Sequence, residues 1–260
     1  METRKLLTKL GRLYPRKIAI KNKDRVGFMA GQKVKEIKKI VLLLDLDTLV
    51  VDEALSHNPD LILTHHPFIY GPRSKVFKRD LQKRDLALKI DALPVMVYSM
   101  HTNFDEAPNG MNDALAAALE LNDVKPLEGS PMARGGKLSS PMNIKDFTIY
   151  ALDKLNASYG LLVQGGKEEV NTVAIIGGGG SRAWNQAQKE GYDLYISGDA
   201  PHHVRRDILN AGYNYLDLPH EIENIFLTKM KEVLLDIDPI LEVISILHEF
   251  PPKVVKSGQK

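Results

Sequence analysis

The chain has 260 residues, of which 43% are hydrophobic and 26% charged. This is enough apolar material for a folded core and too much for a disordered chain. The 35 Lys and Arg residues balance 33 Asp and Glu residues, and a formal net charge of +2 gives no general electrostatic argument for binding nucleic acid or an anionic membrane. Cysteine is absent, which excludes disulfides, thiol nucleophiles and zinc ribbons. Any metal must therefore be bound through His, Asp, Glu or backbone oxygen.

The first residues, METRKLLTKLGRLYPRK, are charged throughout and lack the apolar stretch of a signal peptide. No apolar run in the sequence approaches the length that spans a bilayer. We therefore expect a soluble, cytoplasmic protein that does not insert into membranes.

Three apolar runs in the first half have the length of β-strands and no polar alternation, which is typical of strands buried on both faces of a parallel sheet. They are KKIVLLLDLD (Lys38–Asp47), PDLILTHHP (Pro59–Pro67) and PVMVYSMHT (Pro94–Thr102). Segments with helical spacing lie between and after these runs, among them MNDALAAALEL (Met111–Leu121). The alternation of strands and helices predicts βαβ units and an α/β fold.

A change of composition separates the two halves of the chain. Residues Lys125–Asn143 are rich in Gly, Pro and Ser, and we predict a domain junction there. Beyond it the alternation resumes, with strands expected in ASYGLLVQGG, VNTVAIIGGGG, DLYISGD and YNYLDLPH, a long helix from His220 and a closing strand in LEVISIL. Residues 251–260, PPKVVKSGQK, are expected to form a frayed tail.

Four histidines stand where predicted strands end. His65 and His66 follow the second strand, His101 follows the third, and His220 follows the strand in YNYLDL. In open α/β sheets, ligands bind beyond the carboxyl ends of the strands. A single histidine in such a place is more often buried and hydrogen-bonded to backbone, but four of them together indicate a metal site.

The adjacent pair of histidines suggests more than one metal ion. Neighbouring side chains on extended backbone point in different directions, so two metals a few ångströms apart could take one imidazole each. Asp105 lies four residues after His101 and could bridge or cap a metal, or form a loop Asx-turn before Pro108. His101 could be a ligand or an outer partner of a ligand.

Two residues after His220 could join it at one site. Glu223 and Asn224 lie three and four positions on, and both spacings return to the same face of a helix. Glu223 is the better ligand for a divalent cation because it carries a charge. The alternative is a solvated acid in a first helical turn, where the helix dipole favours it.

The glycine run Gly177–Gly180 follows a predicted strand and admits two interpretations. Its backbone N–H groups could cradle a phosphate at the start of a helix, or the run could be a structural tight turn. No Gly-Lys-Ser/Thr follows it, so it is not a P-loop.

Several segments, taken in order, resemble the NIF-three-like proteins (domain of unknown function 34), also known as GTP cyclohydrolase 1 type 2 homologues. KDRVGFMAG resembles the family's D-N-V-G-x-x-x-G segment, LILTHHPFIYG its T-H-H-P motif, and YSMHTNFDEAPNGMND its H-T-N-x-D stretch with the following P-x-G-x-N. MARGGKLSSPMNIKDF is similar to its G-x-L-x-x-P-M region and ISGDAPHH to its G-D-x-x-H-H segment. The resemblance covers the chain nearly end to end.

This resemblance implies a two-domain α/β fold, assembled as a homo-oligomeric, hexameric ring with metal sites that face the cavity. The first domain, residues 1–125 plus 216–260, would carry the metals and be completed by the C-terminal segment. Residues 126–215 would form the second α/β domain.

The resemblance also implies a dinuclear metal centre. It assigns metal ligation to four residues of this chain, His65, His66, Asp105 and His220. The family's last ligand is a Glu four positions after the final His, where this chain has Asn224. We therefore assign that ligand to Glu223, one residue earlier.

Two divalent metal ions held by imidazole and carboxylate suit hydrolysis, because a metal lowers the pKa of a bound water. The first hypothesis is a metal-dependent hydrolase of cyclohydrolase type, with His101 or Glu221 as proton shuttles. The family label supplies GTP as substrate, and the donor set accommodates Zn, Mn, Fe, Co or Ni. The second hypothesis is a non-catalytic metal-binding scaffold or regulatory interaction protein. The near-neutral charge counts against a third, in which nucleic acid threads through the ring.

Overall fold

The computed structural model describes residues 1–255, and residues 256–260 of the predicted tail lie outside the described residues. Contacts between residues divide the chain into two units. Unit 1 consists of Met1–Gly110 and Phe226–Glu249. Unit 2 consists of Met111–Ile225 and the described residues that follow Glu249. Each unit is built around its own mixed β-sheet, so the fold class is α/β.

The sheet of unit 1 has five strands within the described residues, and the three apolar runs form its centre. In chain order the strands are β1 (Gly27–Gly31), β2 (Lys39–Leu43), β3 (Leu61–Thr64), β4 (Met96–Ser99) and β11 (Glu242–Ser245). They lie in the order β1-β4-β3-β2-β11. All neighbours are parallel except β1, which runs antiparallel to β4. The carboxyl ends of β2, β3 and β4 therefore meet at one edge of this sheet.

Helices connect these strands. They are α1 (Thr3–Leu13), α2 (Arg16–Lys21), α3 (Val51–Ser56), α4 (Arg73–Arg79), α5 (Leu81–Asp91), α6 (Thr102–Glu106) and α11 (Ile225–Ile237), whose first residue belongs to unit 2. One face of the sheet packs on α3, α4 and α5 through a core that includes Val41, Ile62 and Ile90. The β3 residues are buried on both faces, as the unbroken apolar run predicts.

The sheet of unit 2 has six strands among the described residues. In chain order these are β5 (Asn122–Pro126), β6 (Arg134–Asn143), β7 (Leu161–Gln164), β8 (Glu169–Ile175), β9 (Leu194–Ser197) and β10 (Asn214–Asp217). They lie in the order β5-β6-β8-β9-β10-β7, and the central strands β8, β9 and β10 are parallel. The carboxyl ends of these three strands share one edge.

The helices of unit 2 are α7 (Met111–Ala118), α8 (Ile144–Lys154), α9 (Trp184–Lys189) and α10 (His202–Asn210), with 3₁₀ turns at Ser181–Ala183 and His220–Asn224. Local sequence explains where one of them begins. The Asn143 side chain accepts a hydrogen bond from the Lys145 N–H at 2.9 Å and so caps the start of α8.

The Gly, Pro and Ser-rich stretch predicted to be a domain junction is instead part of the unit 2 sheet. β5 and β6 pair across it in an antiparallel hairpin. Its glycines are required by close packing, because a Cβ at Gly135 would lie 2.1 Å from the Tyr192 ring and one at Gly136 2.8 Å from the Asn122 carbonyl oxygen. Composition alone does not distinguish such a crowded strand from a linker.

The boundaries of the two units accordingly differ from those expected, which were 1–125 plus 216–260 and 126–215. The chain passes from unit 1 to unit 2 after Gly110 and returns after Ile225. Helix α7 belongs to unit 2, where the Asn112 side chain accepts the Gly177 N–H at 2.8 Å.

No helix in the described part of the chain combines the length and the apolar character that crossing a bilayer requires.

The segment after β11 is tied to the end of β2. The Ile246 N–H donates to the Leu42 carbonyl at 3.1 Å, and the Asp45 N–H donates to Oε1 of Glu249 at 2.7 Å. Burial disfavours the charged form of Glu249 and, with the nearby Asp45 carboxylate, raises the pKa of Glu249 to about 7, although the hydrogen bond from Asp45 opposes this rise.

This pKa predicts that pH changes stability. Between pH 4.5 and about 7 the folded chain keeps a proton on Glu249 that the unfolded chain releases, so the free energy of unfolding falls as pH rises through that window. Glu249→Gln keeps the acceptor and removes the titration. We expect its unfolding free energy, relative to wild type, to increase by up to about 3 kcal/mol across the window. Urea denaturation of both metal-free proteins at a series of pH values measures this difference in unfolding free energy.

Glu242→Gln is the matched control, because Glu242 is exposed on β11 and forms an ion pair with the half-buried Lys39. Its stability should follow the wild-type pH dependence. If the unfolding free energy of Glu249→Gln changes with pH in parallel with that of wild type, Glu249 does not titrate in this window.

Candidate functional site

In unit 1 the strand ends bring the predicted histidines together. His65 and His66 directly follow β3, and their N–H groups continue the parallel ladder by donating to Leu43 and Leu44 carbonyls. His101 follows β4 by two residues, immediately before α6. Because β3 and β4 are parallel neighbours, their carboxyl ends place these imidazoles side by side.

The three rings form a tight cluster. One ring nitrogen from each of His65, His66 and His101 lies within 4.8 Å of the others. The ring centroids are 4.9 Å apart for His65 and His66, 5.1 Å for His65 and His101, and 5.5 Å for His66 and His101. This spacing allows the rings to share one cation or two neighbouring cations.

Each ring is oriented through its Nδ1 atom. Nδ1 of His65 lies 2.9 Å from the Met100 carbonyl oxygen. Nδ1 of His66 lies 2.7 Å from Oδ2 of Asp45, and Nδ1 of His101 lies 2.8 Å from Oδ2 of Asp24. All three partners accept hydrogen bonds, so each Nδ1 donates a proton.

This arrangement fixes the chemistry of the opposite ring nitrogen. A neutral imidazole that carries its proton on Nδ1 has an electron pair on Nε2, which is the form that ligates metals. Histidine ligands characteristically donate their other N–H to a carboxylate or a backbone carbonyl. The donor set of His65, His66 and His101 therefore fits a bound divalent cation.

Asp24 stays ionised beneath His101. Burial raises the pKa of this carboxyl, but the hydrogen bonds from His101 and Thr102 outweigh burial and hold the pKa well below its usual range. The Thr102 hydroxyl donates to Oδ2 of Asp24 at 2.7 Å. The carboxylate therefore holds His101 in one orientation at physiological pH.

Asp105, which the sequence predicts to be a metal ligand, lies beside His65. It is buried in α6, and its Oδ1 is 3.4 Å from Nε2 of His65, whose side chain is fully buried. With the His65 proton on Nδ1, both facing atoms carry electron pairs and repel each other unless a proton or a cation lies between them. Asp105 lies within helix α6, not in a loop.

In unit 2 a 3₁₀ turn brings His220 and Glu223 together. Residues His220–Asn224 follow β10 and have three residues per turn, so positions three apart lie one above the other. Nε2 of His220 is 3.0 Å from Oε2 of Glu223, and Glu223 is buried. The sequence predicts an α-helix from His220, and the tighter turn found instead places the residue three positions on, Glu223, against His220.

His220 is oriented by the end of β9. Its Nδ1 lies 2.5 Å from Oδ2 of Asp199, a residue with φ of 56° in the left-handed region. The hydrogen bond to Glu223 is the largest cause of a raised pKa at His220, and burial opposes this rise. Asp199 adds to the rise, and the pKa of His220 reaches about 9. Without a metal, His220 is therefore a cation between two carboxylates at neutral pH.

The glycine run after β8 packs against this pair. Gly178 has φ of 59°, and a Cβ there would lie 2.5 Å from Oε1 of Glu223 and 3.0 Å from Cε1 of His220. A Cβ at Gly177 would lie 3.2 Å from Glu223. The glycines are thus required by the approach of Glu223, which favours the structural interpretation of this turn over a phosphate cradle.

Glu221, the second predicted proton shuttle, is partly exposed in the 3₁₀ turn beside His220. Burial raises the pKa of Tyr159, and the charges of Glu221, Asp217 and Asp199 raise it further. Tyr159 therefore keeps its phenol proton at neutral pH.

Sequence reasoning missed the three carboxylates that orient the histidines. These are Asp24, Asp45 and Asp199. Asp45 and Asp199 each come within two residues of a strand end, the same signal that identified the histidines. Asp24 precedes β1, which is antiparallel to β4 and so begins at the edge where β4 ends.

Relatives of known sequence share most of the chain. A model of the family described as Duf34/NIF3 (NGG1p interacting factor 3) matches residues 1–249. A Lactococcus lactis protein named GTP cyclohydrolase 1 type 2 homolog is 29% identical over 232 residues, which is 86% of this chain and 88% of that protein. A Clostridium perfringens protein of the same name is 32% identical over 76% of this chain and 77% of its own length.

Solved structures share the fold. A Bacillus cereus protein related to NIF3 superposes with a TM-score of 0.87 at 19% identity and covers 98% of this chain and 99% of its own. Reduced HcgD from Methanocaldococcus jannaschii superposes with a TM-score of 0.79 at 27% identity, over 94% of this chain and 97% of its own. This chain therefore belongs to the Duf34/NIF3 (NGG1p interacting factor 3) family.

Proposed function

We propose that this protein binds two divalent metal ions per chain and uses them to hydrolyse its substrate. The observation that carries the proposal is the orientation of the unit 1 imidazoles, in which His65, His66 and His101 each donate through Nδ1 and present Nε2. We assign metal ligation to His65, His66 and Asp105 in unit 1 and to His220 and Glu223 in unit 2.

The chemistry of these side chains suits several metals. Imidazole nitrogen and carboxylate oxygen bind Zn, Mn, Fe, Co and Ni, and the absence of cysteine disfavours thiolate-bound metals. When bound, a divalent cation lowers the pKa of a coordinated water and stabilises charge on the attacked group.

The chain's own residues would move the protons. His101 Nε2 can accept a proton, because Asp24 holds Nδ1 protonated and stabilises the imidazolium that results. Glu221 is the second proposed shuttle, on the 3₁₀ turn that carries His220. Both roles require substrate to lie next to the named atoms.

The name shared by relatives, GTP cyclohydrolase 1 type 2 homolog, makes GTP the first substrate to test. Cyclohydrolase chemistry adds water across a ring C–N bond of the base, which needs an activated water and a proton donor for the leaving nitrogen. We further propose a homo-oligomer, a hexameric ring, that acts in the cytoplasm. The alternative function is a metal-binding scaffold without turnover.

Metal content tests the proposal first. Chelator-stripped protein that is reloaded with Zn, Mn or Fe and then desalted should retain two metal ions per chain by elemental analysis. His65→Ala should lose metal, and Asp45→Asn should weaken binding by about 10- to 100-fold because it removes a carboxylate that orients a ligand. His57→Ala, at the end of α3 and outside the cluster, is the matched control and should bind as wild type does. Wild-type protein that retains no metal would refute the proposal.

Turnover separates the enzyme from the scaffold. Metal-loaded wild type should convert GTP to a ring-opened product, and His65→Ala should show no activity above the metal-free protein. Chromatography with simple phosphoesters as control substrates measures this. Retained metal without turnover of GTP or other nucleotides would favour the scaffold.

Proton release tests the assignment of His220. Its pKa of about 9 without metal means that it carries a proton at neutral pH, and a ligand must lose that proton. Metal affinity should therefore rise with pH until about 9 in wild type. Calorimetry in buffers of different ionisation enthalpy should detect released protons, and His220→Ala should release fewer. If wild type and His220→Ala release the same number of protons on metal binding, His220 does not ligate metal.

A further inference from the structure

The C-terminal end of unit 1 reaches the edge of the sheet that carries the imidazoles. β11 is parallel to β2, and Ile246 continues this ladder through its hydrogen bond to Leu42. The chain then runs past the carboxyl end of β2, where Glu249 contacts both Asp45 and its own neighbour His248. A segment that is distant in sequence thus contacts the residue that orients His66.

The contacts form a short relay within unit 1. Oε1 of Glu249 accepts the Asp45 N–H at 2.7 Å, and Nε2 of His248 lies 3.0 Å from the same oxygen. Oδ2 of Asp45 in turn lies 2.7 Å from Nδ1 of His66. Each step is a direct contact between neighbouring groups.

The two ends of this relay differ in exposure. The Glu249 side chain is 14% exposed, whereas the Asp45 side chain is 46% exposed and lies in the irregular segment between β2 and α3. A half-exposed carboxylate on an irregular segment can turn to water unless its backbone is fixed. The largely buried Glu249 fixes the Asp45 backbone, because it accepts the hydrogen bond of the Asp45 N–H.

We propose that Glu249 is a positioning residue for the metal site, which fixes the Asp45 backbone and through it the orientation of the His66 ring. The ring orientation is a property of the metal-free protein. Its consequence for metal affinity rests on the proposed function, because it requires His66 to be a ligand.

A role for Glu249 in stability alone predicts something different. In that case Glu249→Ala and Glu249→Asp would lower the melting temperature and leave the His66 ring unchanged. Ring nitrogen shifts of His66, measured by ¹⁵N NMR on metal-free protein at about pH 8, where a free imidazole is neutral, report the tautomer directly.

Wild type should show His66 protonated on Nδ1. Glu249→Ala removes the acceptor, and Glu249→Asp draws the acceptor back by one methylene. Both variants should shift His66 toward a mixture of tautomers. Glu249→Gln keeps the acceptor oxygen and should retain the wild-type tautomer, as should the exposed control Glu242→Ala on β11. A wild-type tautomer in Glu249→Asp would overturn the proposal, and this variant decides the question if Glu249→Ala does not fold.

Metal titration gives the second readout. Glu249→Asp should bind metal about three- to tenfold more weakly, a smaller loss than removal of Asp45 itself, and Glu249→Gln should stay within about twofold of wild type. A changed tautomer in a protein that binds no metal would support the positioning role and refute the proposed function. Unchanged tautomer and unchanged affinity would refute the positioning role and leave the proposed function intact.

Discussion

Each imidazole at the strand ends donates a hydrogen bond from Nδ1 to an oxygen that can only accept, and the properties of the candidate site depend on this. A carbonyl oxygen holds His65, and carboxylates hold His66, His101 and His220. These hydrogen bonds fix the direction of each ring, and they place an electron pair on Nε2 in the three rings of unit 1.

The fold supplies those acceptors through the geometry of parallel strands. The carboxyl ends of β2, β3 and β4 lie at one edge, so Asp45, His66 and His101 come from three strands and still meet. Unit 2 repeats the principle with β9 and β10, which bring Asp199 to His220. Here the 3₁₀ turn and the close approach of Gly178 place Glu223, one position before the expected ligand position, against His220.

Much of this was accessible from the sequence, because it depends on local patterns. Unbroken apolar runs identified β2, β3 and β4, and residues directly after such runs identified His65, His66 and His101. The assignment to Glu223 rested on charge, and the 3₁₀ turn that places Glu223 beside His220 was not visible in the periodicity. Composition predicts a junction where β5 and β6 lie, because a glycine such as Gly135 gives no signal that distinguishes a loop from a crowded sheet. Asp24 and Glu249 escaped notice because contacts that join distant segments leave no periodic signal.

X-ray absorption of the zinc-loaded protein would show whether imidazoles of this chain bind metal through Nε2. Such binding predicts zinc–nitrogen distances of about 2.0–2.1 Å together with the outer scattering of several imidazole rings. His57→Ala should leave that spectrum unchanged, and His66→Ala should reduce the imidazole contribution. A spectrum that contains only oxygen ligands, with no imidazole scattering, would show that these histidines do not bind the metal.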